Sequence, residues 1–200
     1  FVSRKSEELL RGLLELEVPE IYEGIIEIKN IAREAGSRSK VAVYSDDKNL
    51  DVKGACIGRN GMRIQTVIDE LQGEKIDIVL WNEDVKEFVK NALNPAQVLS
   101  VEVVEEGEDN LKVAKVVVAE NQLSLAIGKK GQNSRLAARL CGVKIDIHTK
   151  SDEVAESDED ELEEGSAFQD TLDERENAEK NSDSFEVEES AFAGLGEDKE

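Results

Sequence analysis

A seven-residue pattern that occurs twice constrains this chain more than any other feature. Ala-Cys-Ile-Gly-Arg-Asn-Gly at residues 55–61 and Leu-Ala-Ile-Gly-Lys-Lys-Gly at residues 125–131 share the frame Ile-Gly-x-x-Gly, seventy residues apart. Each copy is followed by an amphipathic run, a glycine (Gly73, Gly142) and the identical tetrapeptide Lys-Ile-Asp-Ile, at 75–78 and 144–147. One G-x-x-G says little, because glycine pairs mark turns in most folds. The same pair met twice in one helix–loop–helix–strand context is an internal duplication, and it marks two structural units of about seventy residues.

The chemistry of the repeated loop follows from glycine's missing side chain, which lets the backbone turn sharply and lets another backbone come close. The residues after the second glycine begin a helix, whose first N–H groups and dipole favour an anion. Arg59 lies between the first pair of glycines and Lys129 and Lys130 between the second, adding charge where a nucleic-acid backbone would pass. Gly58, Arg59, Asn60 and Gly61 are therefore candidate contacts, as are Gly128, Lys129, Lys130 and Gly131. The competing reading is that the glycines only connect helices; repetition with basic insertions weighs against it. Ile57 and Ile127, one residue ahead of each loop, serve both the core and an apolar groove for bases. Gln132, Asn133 and Arg135 fall in the first turn after the second loop, where they either cap the helix or read base edges. Arg38 and Lys40 are either further contacts or a solvated strand edge.

Charge is distributed unevenly. The formal net charge is −21, but residues 151–200 hold 21 acids against three bases, leaving 25 acids and 22 bases in residues 1–150. The acidic balance thus belongs to a tail whose apolar residues are too scattered to bury one another, and disorder is its default. Such a tail either competes with RNA as a polyanion or only raises solubility. Cys56 and Cys141 have no second cysteine or histidine at metal-ligand spacing, so they read as reduced, packed thiols of a cytoplasmic protein, with no metal and no cofactor. Met62 also reads as packing. No apolar run approaches the ~18 residues that span a bilayer, and no signal-peptide pattern is present, so no membrane partner is expected. The chain opens on Phe1 and reads as part of something longer. With one histidine, His148, and no nucleotide-binding glycine motif, nothing builds a nucleophile–base pair, so no enzymatic activity is expected.

In chain order, Ser6 is a candidate N-cap for a helix with a stripe of Leu9, Leu10, Leu13, Leu14 and Leu16, stopped by Pro19. Residues 25–34 and 40–44 read as strands around the turn formers 36–39. A helix ends at Ile57, and Ile64, Val67, Ile68 and Leu71 give the next its apolar face. Lys75 to Trp81 is a buried strand, and Trp81 reads as core or interdomain packing in preference to stacking on a base. The second unit repeats this order. A helix spans Val85 to Leu93 and ends near Pro95; strands Val98–Glu105 and Leu111–Ala119 flank a turn at 106–110. Helices Gln122–Ile127 and Gln132–Cys141 and a strand Val143–His148 complete it. With only two residues between Trp81 and the next helix, the units should abut.

Helix, G-x-x-G, helix and strand, with two strands ahead of them, resembles the KH fold in its bacterial, type II form. The resemblance implies an α+β architecture of two tandem KH domains, each a three-stranded sheet covered by helices on one face. They would span residues 1–82 with the leading helix and 83–150, followed by the disordered acidic tail at 151–200. A KH loop clamps the backbone of about four nucleotides. Further stretches narrow the resemblance. Leu16-Glu17-Val18-Pro19-Glu20-Ile21, residues 32–40, Gly73-Glu74-Lys75-Ile76-Asp77-Ile78, Asn121 to Gly128 and Gly131 to Ala137 are similar to the NusA family of bacterial transcription elongation factors, over residues 2–149. That resemblance implies a monomer that binds single-stranded, nascent RNA in pausing, termination and antitermination. It also implies contact with RNA polymerase and other elongation factors through the full-length protein. The family's polymerase-binding N-terminal domain and its oligonucleotide-binding barrel fall outside this sequence, and the tail shows no pattern of acidic helical repeats. Lys53 stands where the family commonly has proline, and Arg59-Asn60 replaces its usual first-loop pair. The alternative is a KH-fold protein-interaction scaffold without RNA contact. Aspartates at Gly128 and Gly131 together are expected to leave the fold intact and helix content barely changed while abolishing most RNA binding.

Overall fold

The first unit opens with α1 (Glu7–Glu17), which buries Leu10 and Leu14 completely; each such side chain contributes about 1.5–3 kcal/mol. Ser6 has extended N-cap geometry (φ −72°, ψ 148°), but its side chain makes no capping hydrogen bond. Its carbonyl instead accepts from Arg33 Nη1. Pro19 does more than stop α1. It takes the first position of a one-turn helix, α2 (Pro19–Tyr22), where its missing N–H is no loss. The computed structural model describes residues 4–106 and 111–150; of the turn expected at 106–110, Glu106 belongs to a strand and 107–110 lie outside the described residues, as does the acidic segment from Ser151.

Strand β1 (Glu27–Glu34) pairs antiparallel with β2 (Arg38–Tyr44), and β3 (Lys75–Leu80) lies parallel to β2 at the edge. Between β2 and β3 come α3 (Val52–Ile57) and α4 (Met62–Glu70). The second unit has the same order: α5 (Val85–Ala92), β4 (Val98–Glu106), β5 (Leu111–Val118), α6 (Glu120–Ile127), α7 (Gln132–Cys141) and β6 (Lys144–Thr149). Its sheet runs β4-β5-β6 with the same mixture of antiparallel and parallel pairing. Even the registers agree. Lys40 sits opposite Asp77 as Lys115 sits opposite Asp146, and a bulge falls at Lys29 in β1 and at Leu99 in β4.

Among the described residues the architecture is α+β, with two three-stranded sheets, α1, α3 and α4 going with the first and α5, α6 and α7 with the second. On the inner face of the first sheet, Ile31, Val41, Val43 and Ile78 pack with Leu10, Leu14, Cys56 and Val67 from its own helices. Strand side chains alternate between faces, so the outer face presents Ala32, Ala42 and Val79, and these join the second unit's core of Phe88, Val89, Leu136 and Leu140. The outer face of the first sheet is thus covered by α5 and α7. Strand β2, buried on both faces from Ser39 to Val43, reads as a continuous run for that reason. Trp81 closes the same seam edge-on to Tyr44, with ring centroids 5.3 Å apart, and tilted against Phe88 at 6.5 Å. Met62, expected in the core, is 69% exposed. Among the described residues no helix is long and apolar enough to cross a membrane, and no group of three or more acidic, His or Cys side chains is placed to hold a metal.

Candidate nucleic-acid interface

The two G-x-x-G loops are the same object built twice. Gly58 has φ 77°, ψ 171° and Gly128 φ 75°, ψ 174°; Asn60 and Lys130 are left-handed at φ 56° and φ 54°, and Gly61 and Gly131 at φ 75° and φ 70°. Matching hydrogen bonds fix the turn. Gly58 N–H donates to Gly54 O and Gly128 N–H to Ser124 O (2.8 and 2.9 Å); Gly61 N–H donates to Gly58 O and Gly131 N–H to Gly128 O, both at 3.1 Å. Neither Gly61 nor Gly131, the N-caps of α4 and α7, brings a capping side chain; the first N–H of each helix turns back into the loop instead, Met62 donating to Arg59 O and Gln132 to Lys129 O. Arg59, Asn60, Lys129 and Lys130 are all exposed beside them.

The four glycines differ in what they allow. A Cβ on Gly128 would lie 2.8 Å from Asn133 Cβ and 3.0 Å from its backbone nitrogen, and one on Gly58 would lie 2.6 Å from Arg63 Cγ. Their backbone region is one that essentially only glycine occupies. At Gly61 a Cβ meets nothing within 4 Å, and at Gly131 only Ser134 Oγ at 4.0 Å. Aspartates at both positions of the second loop are therefore not structurally silent, contrary to the sequence-based expectation: the one at 128 forces the loop and α7 apart.

Beside each loop lies a groove. The first, of about 360 Å³, runs between Ile57, Ile64 and the edge strand β3, with Lys53 and Arg38 on its rim and Asn94 and Pro95 of the second unit, joined by a cis peptide bond, as its far wall. The second, of about 260 Å³, is lined by Ile127, Ser134 and β6 from Ile145 to His148. Ile57 is half-buried and Ile127 is 38% exposed, so both isoleucines offer apolar surface to the groove as well as to the core.

Two candidates turn inward. Lys40 is fully buried, its Nζ donating to Asp77 Oδ2 (3.3 Å) and Asn94 O (3.2 Å), and it is closed off from any nucleic acid by the second unit. Burial pulls its pKa below the usual lysine value against the attraction of Asp77. Asn133 is also buried. Its Nδ2 donates to Leu93 O and Ala126 O, each at 3.0 Å, so it fastens α6 to α7 rather than reading base edges. Arg63, at the matching place in the first repeat, donates to Ala55 O (2.8 Å) and Glu20 Oε2 (2.9 Å) and does the same work. The sequence carried that signal, since both residues stand five places after the first glycine and both are side-chain donors.

The other candidates are engaged but reachable. Arg38 forks Asp77 through Nε (2.7 Å) and Nη2 (2.9 Å) at the groove's rim. Burial raises the Asp77 pKa, but the Arg38 hydrogen bonds and the Lys40 charge outweigh it and hold the carboxyl below its usual value. Gln132 Nε2 donates to Glu34 Oε2 and Ser37 Oγ, both at 2.7 Å, while Arg135 Nε and Arg139 Nη2 each reach Glu34 Oε1 at 2.8 Å. Hydrogen bonds from Arg135 and then Gln132 hold Glu34 below the usual glutamate value. Glu34, absent from the sequence-derived candidates, thus anchors the helix after the second loop to the first sheet. The two thiols are inert packing groups, with burial pushing Cys56 up to about 11 and Cys141 up to about 12.

A three-stranded mixed sheet with a G-x-x-G turn joining the two helices ahead of its edge strand is the type II KH fold, and this chain carries it twice in tandem. Family profiles agree in detail: the NusA-like first KH domain matches residues 4–81 and the NusA-like second KH domain residues 85–155. The chain is 55% identical over 152 residues to the transcription termination/antitermination protein NusA of Bacillus subtilis, covering 76% of this chain and 40% of that protein. Against the NusA of Thermus thermophilus it is 56% identical over 158 residues, 79% of this chain and 39% of that one. The solved structure of APE1850 superposes with a TM-score of 0.53 at 25% identity, over 71% of this chain and 97% of that one, a likeness of fold. The chain belongs to the NusA family, and it spans about two fifths of the length of these curated relatives.

Proposed function

We propose that this chain is the RNA-binding module of a bacterial transcription elongation factor. Each G-x-x-G loop clamps the backbone of a single RNA strand through its glycine backbone, at the positive end of a helix, and the side chains of Arg59 or Lys129 and Lys130. Bases lie in the adjoining grooves against Ile57 and Ile127, with Asn60, Arg38, Gln132 and Arg135 at reach from the rims. Lys40 and Asn133 support the site from inside and take no part in contact. The observation that carries this reading is the identity of the two loop backbones, each with exposed cations beside a helix start that no side chain caps. Two platforms held on one body engage a longer strand than either alone.

The domain division that suits this reading is 1–82 and 83–150, with the acidic segment 151–200 beyond. The module has no catalytic role and works as a monomer in the cytoplasm. The nascent transcript is its partner, while RNA polymerase and other elongation factors are met by the full-length protein in pausing, termination and antitermination. Binding to single-stranded RNA, matched single-stranded DNA and duplex RNA, each titrated with salt, tests it. Single-stranded RNA should bind best, with affinity falling steeply as salt rises. Absence of binding to any single strand at low salt would return the fold to a protein-interaction scaffold.

A further inference from the structure

The Lys-Ile-Asp-Ile tetrapeptide that ends each repeat puts a carboxylate at the same point of two grooves. Asp77 lines the first, above Ile57 and Ile64, and Asp146 lines the second, beside Ile127 and Ser134. Both stand on an edge strand, opposite Lys40 and Lys115 in the same register. A negative charge in a groove meant for a polyanion calls for a reason. In the first repeat one is at hand, because Lys40 is sealed in the seam and needs a counter-ion. That reason fails in the second. Lys115 is exposed to solvent, and Asp146 makes only a surface pair with Lys144 at 3.1 Å, a contact of little energetic weight.

We propose that Asp77 and Asp146 are base-reading carboxylates, each accepting a hydrogen bond from the exocyclic amine of a nucleobase in its groove. The proposal rests on the RNA-binding reading and adds to it a specificity for amine-bearing bases over uracil. An ionised carboxylate offers about four lone-pair sites and no donor. Arg38 and Lys40 occupy part of Asp77, and Lys144 part of Asp146, leaving each carboxylate with acceptor capacity unused. Cytosine presents N4–H₂ to such an acceptor. Uracil presents carbonyl oxygens on both sides of its single N–H, and these repel the carboxylate. The paired cation also offsets the carboxylate's repulsion of the phosphates. In the first groove Arg38 further supplies a donor beside the acceptor, so that groove discriminates more sharply.

The test compares oligo(C) with oligo(U) of equal length, which differ at the amine-bearing edge, binding to the 200-residue chain by fluorescence anisotropy. The unaltered chain should favour oligo(C) on the order of tenfold. Asp146→Asn should narrow that ratio several-fold by improving oligo(U), since an amide donates to O4. Asp146 is about a third exposed and holds no buried partner, so folding is not at stake. Asp77→Asn, which does unbalance Lys40, is read only alongside its thermal melt. A rise in affinity for both oligomers with an unchanged ratio would mean that the carboxylate merely repels phosphate, and would overturn the proposal. So would a chain that binds both oligomers equally. If the unaltered chain binds neither, the RNA reading itself falls and takes this one with it, an outcome told apart by that silence.

Discussion

The same frame is stabilised differently in its two copies. In the first, Arg33, Ser39 and Glu74 meet inside the domain. Glu74 Oε1 accepts from Arg33 Nε at 2.8 Å and from Ser39 Oγ at 2.5 Å, and its Oε2 accepts from Arg33 Nη2 and the Gly36 N–H, with both charged side chains almost fully buried. The strand registers put Val103, Ala114 and Val143 at those three places in the second copy, an apolar patch. A fully hydrogen-bonded ion pair and a packed apolar cluster thus fill one site. Neither is intrinsically superior, since replacing a buried pair by well-packed apolar groups is often neutral. The outer faces differ likewise. Where the first sheet shows Ala32 and Val79 to α5 and α7, the second has an exposed Glu102 and a partly exposed His148. The backbone frame is held in common, while the side chains on either face follow what packs against them.

The largest effect expected from this contrast is in the first copy. Glu74→Ala leaves Arg33 buried and unpaired and should cost about 3–5 kcal/mol in urea unfolding. Transplanting the second copy's trio, Arg33→Val with Ser39→Ala and Glu74→Val, should recover most of that loss; if it does not, the two solutions are not interchangeable. The pH dependence points the same way. Hydrogen bonds from Arg33 and Ser39 outweigh burial and hold Glu74 below the ordinary glutamate value of 4.5, and Asp77 is held below 3.8. Depressed carboxylates contribute stability that is full above those values and is lost as pH falls through the folded ones. Stability should therefore hold at neutral pH and decline below about pH 4.5, with a shallower decline in Glu74→Gln, followed by thermal melts across pH.

Within each loop the two glycines should separate next. Gly128→Ala should cost roughly 1–3 kcal/mol of stability, since it combines a glycine-only conformation with a clash against Asn133. Gly131→Ala has open space and a left-handed backbone and should cost about 1 kcal/mol. The same ranking should hold for Gly58 over Gly61. Equal costs would mean that the loops carry no such constraint. The smallest contrast is electrostatic. Removing Lys129 and Lys130 should lower the salt dependence of RNA binding by roughly 0.7 for each phosphate that is no longer neutralised, and removing Arg59 by one such step.

Much of this was legible in the sequence because duplication supplies its own control. The order of elements, the loops and helix Gln132–Cys141 followed from periodicity read twice. What escaped was which face each strand residue would present to a neighbour. Alternation marks two faces of β2 but does not say that α5 and α7 will cover the outer one, so Lys40 looked like a surface cation. Asn133 looked like a base reader because helix-start amides serve both purposes, and only its carbonyl partners decide. Met62 was misplaced although its counterpart Gln132 is polar, a comparison the repeat already offered. Glu34 stayed hidden because its three partners lie about a hundred residues away.

Whether both loops hold the RNA strand, and not one or neither, is decided by amide nuclear magnetic resonance of the chain titrated with single-stranded RNA. The largest shifts are expected at 58–61 and 128–131 and along the flanking β3 and β6 edges, with Glu102 on the outer face of the second sheet unmoved. Saturable binding whose shifts avoid both loops would contradict that expectation.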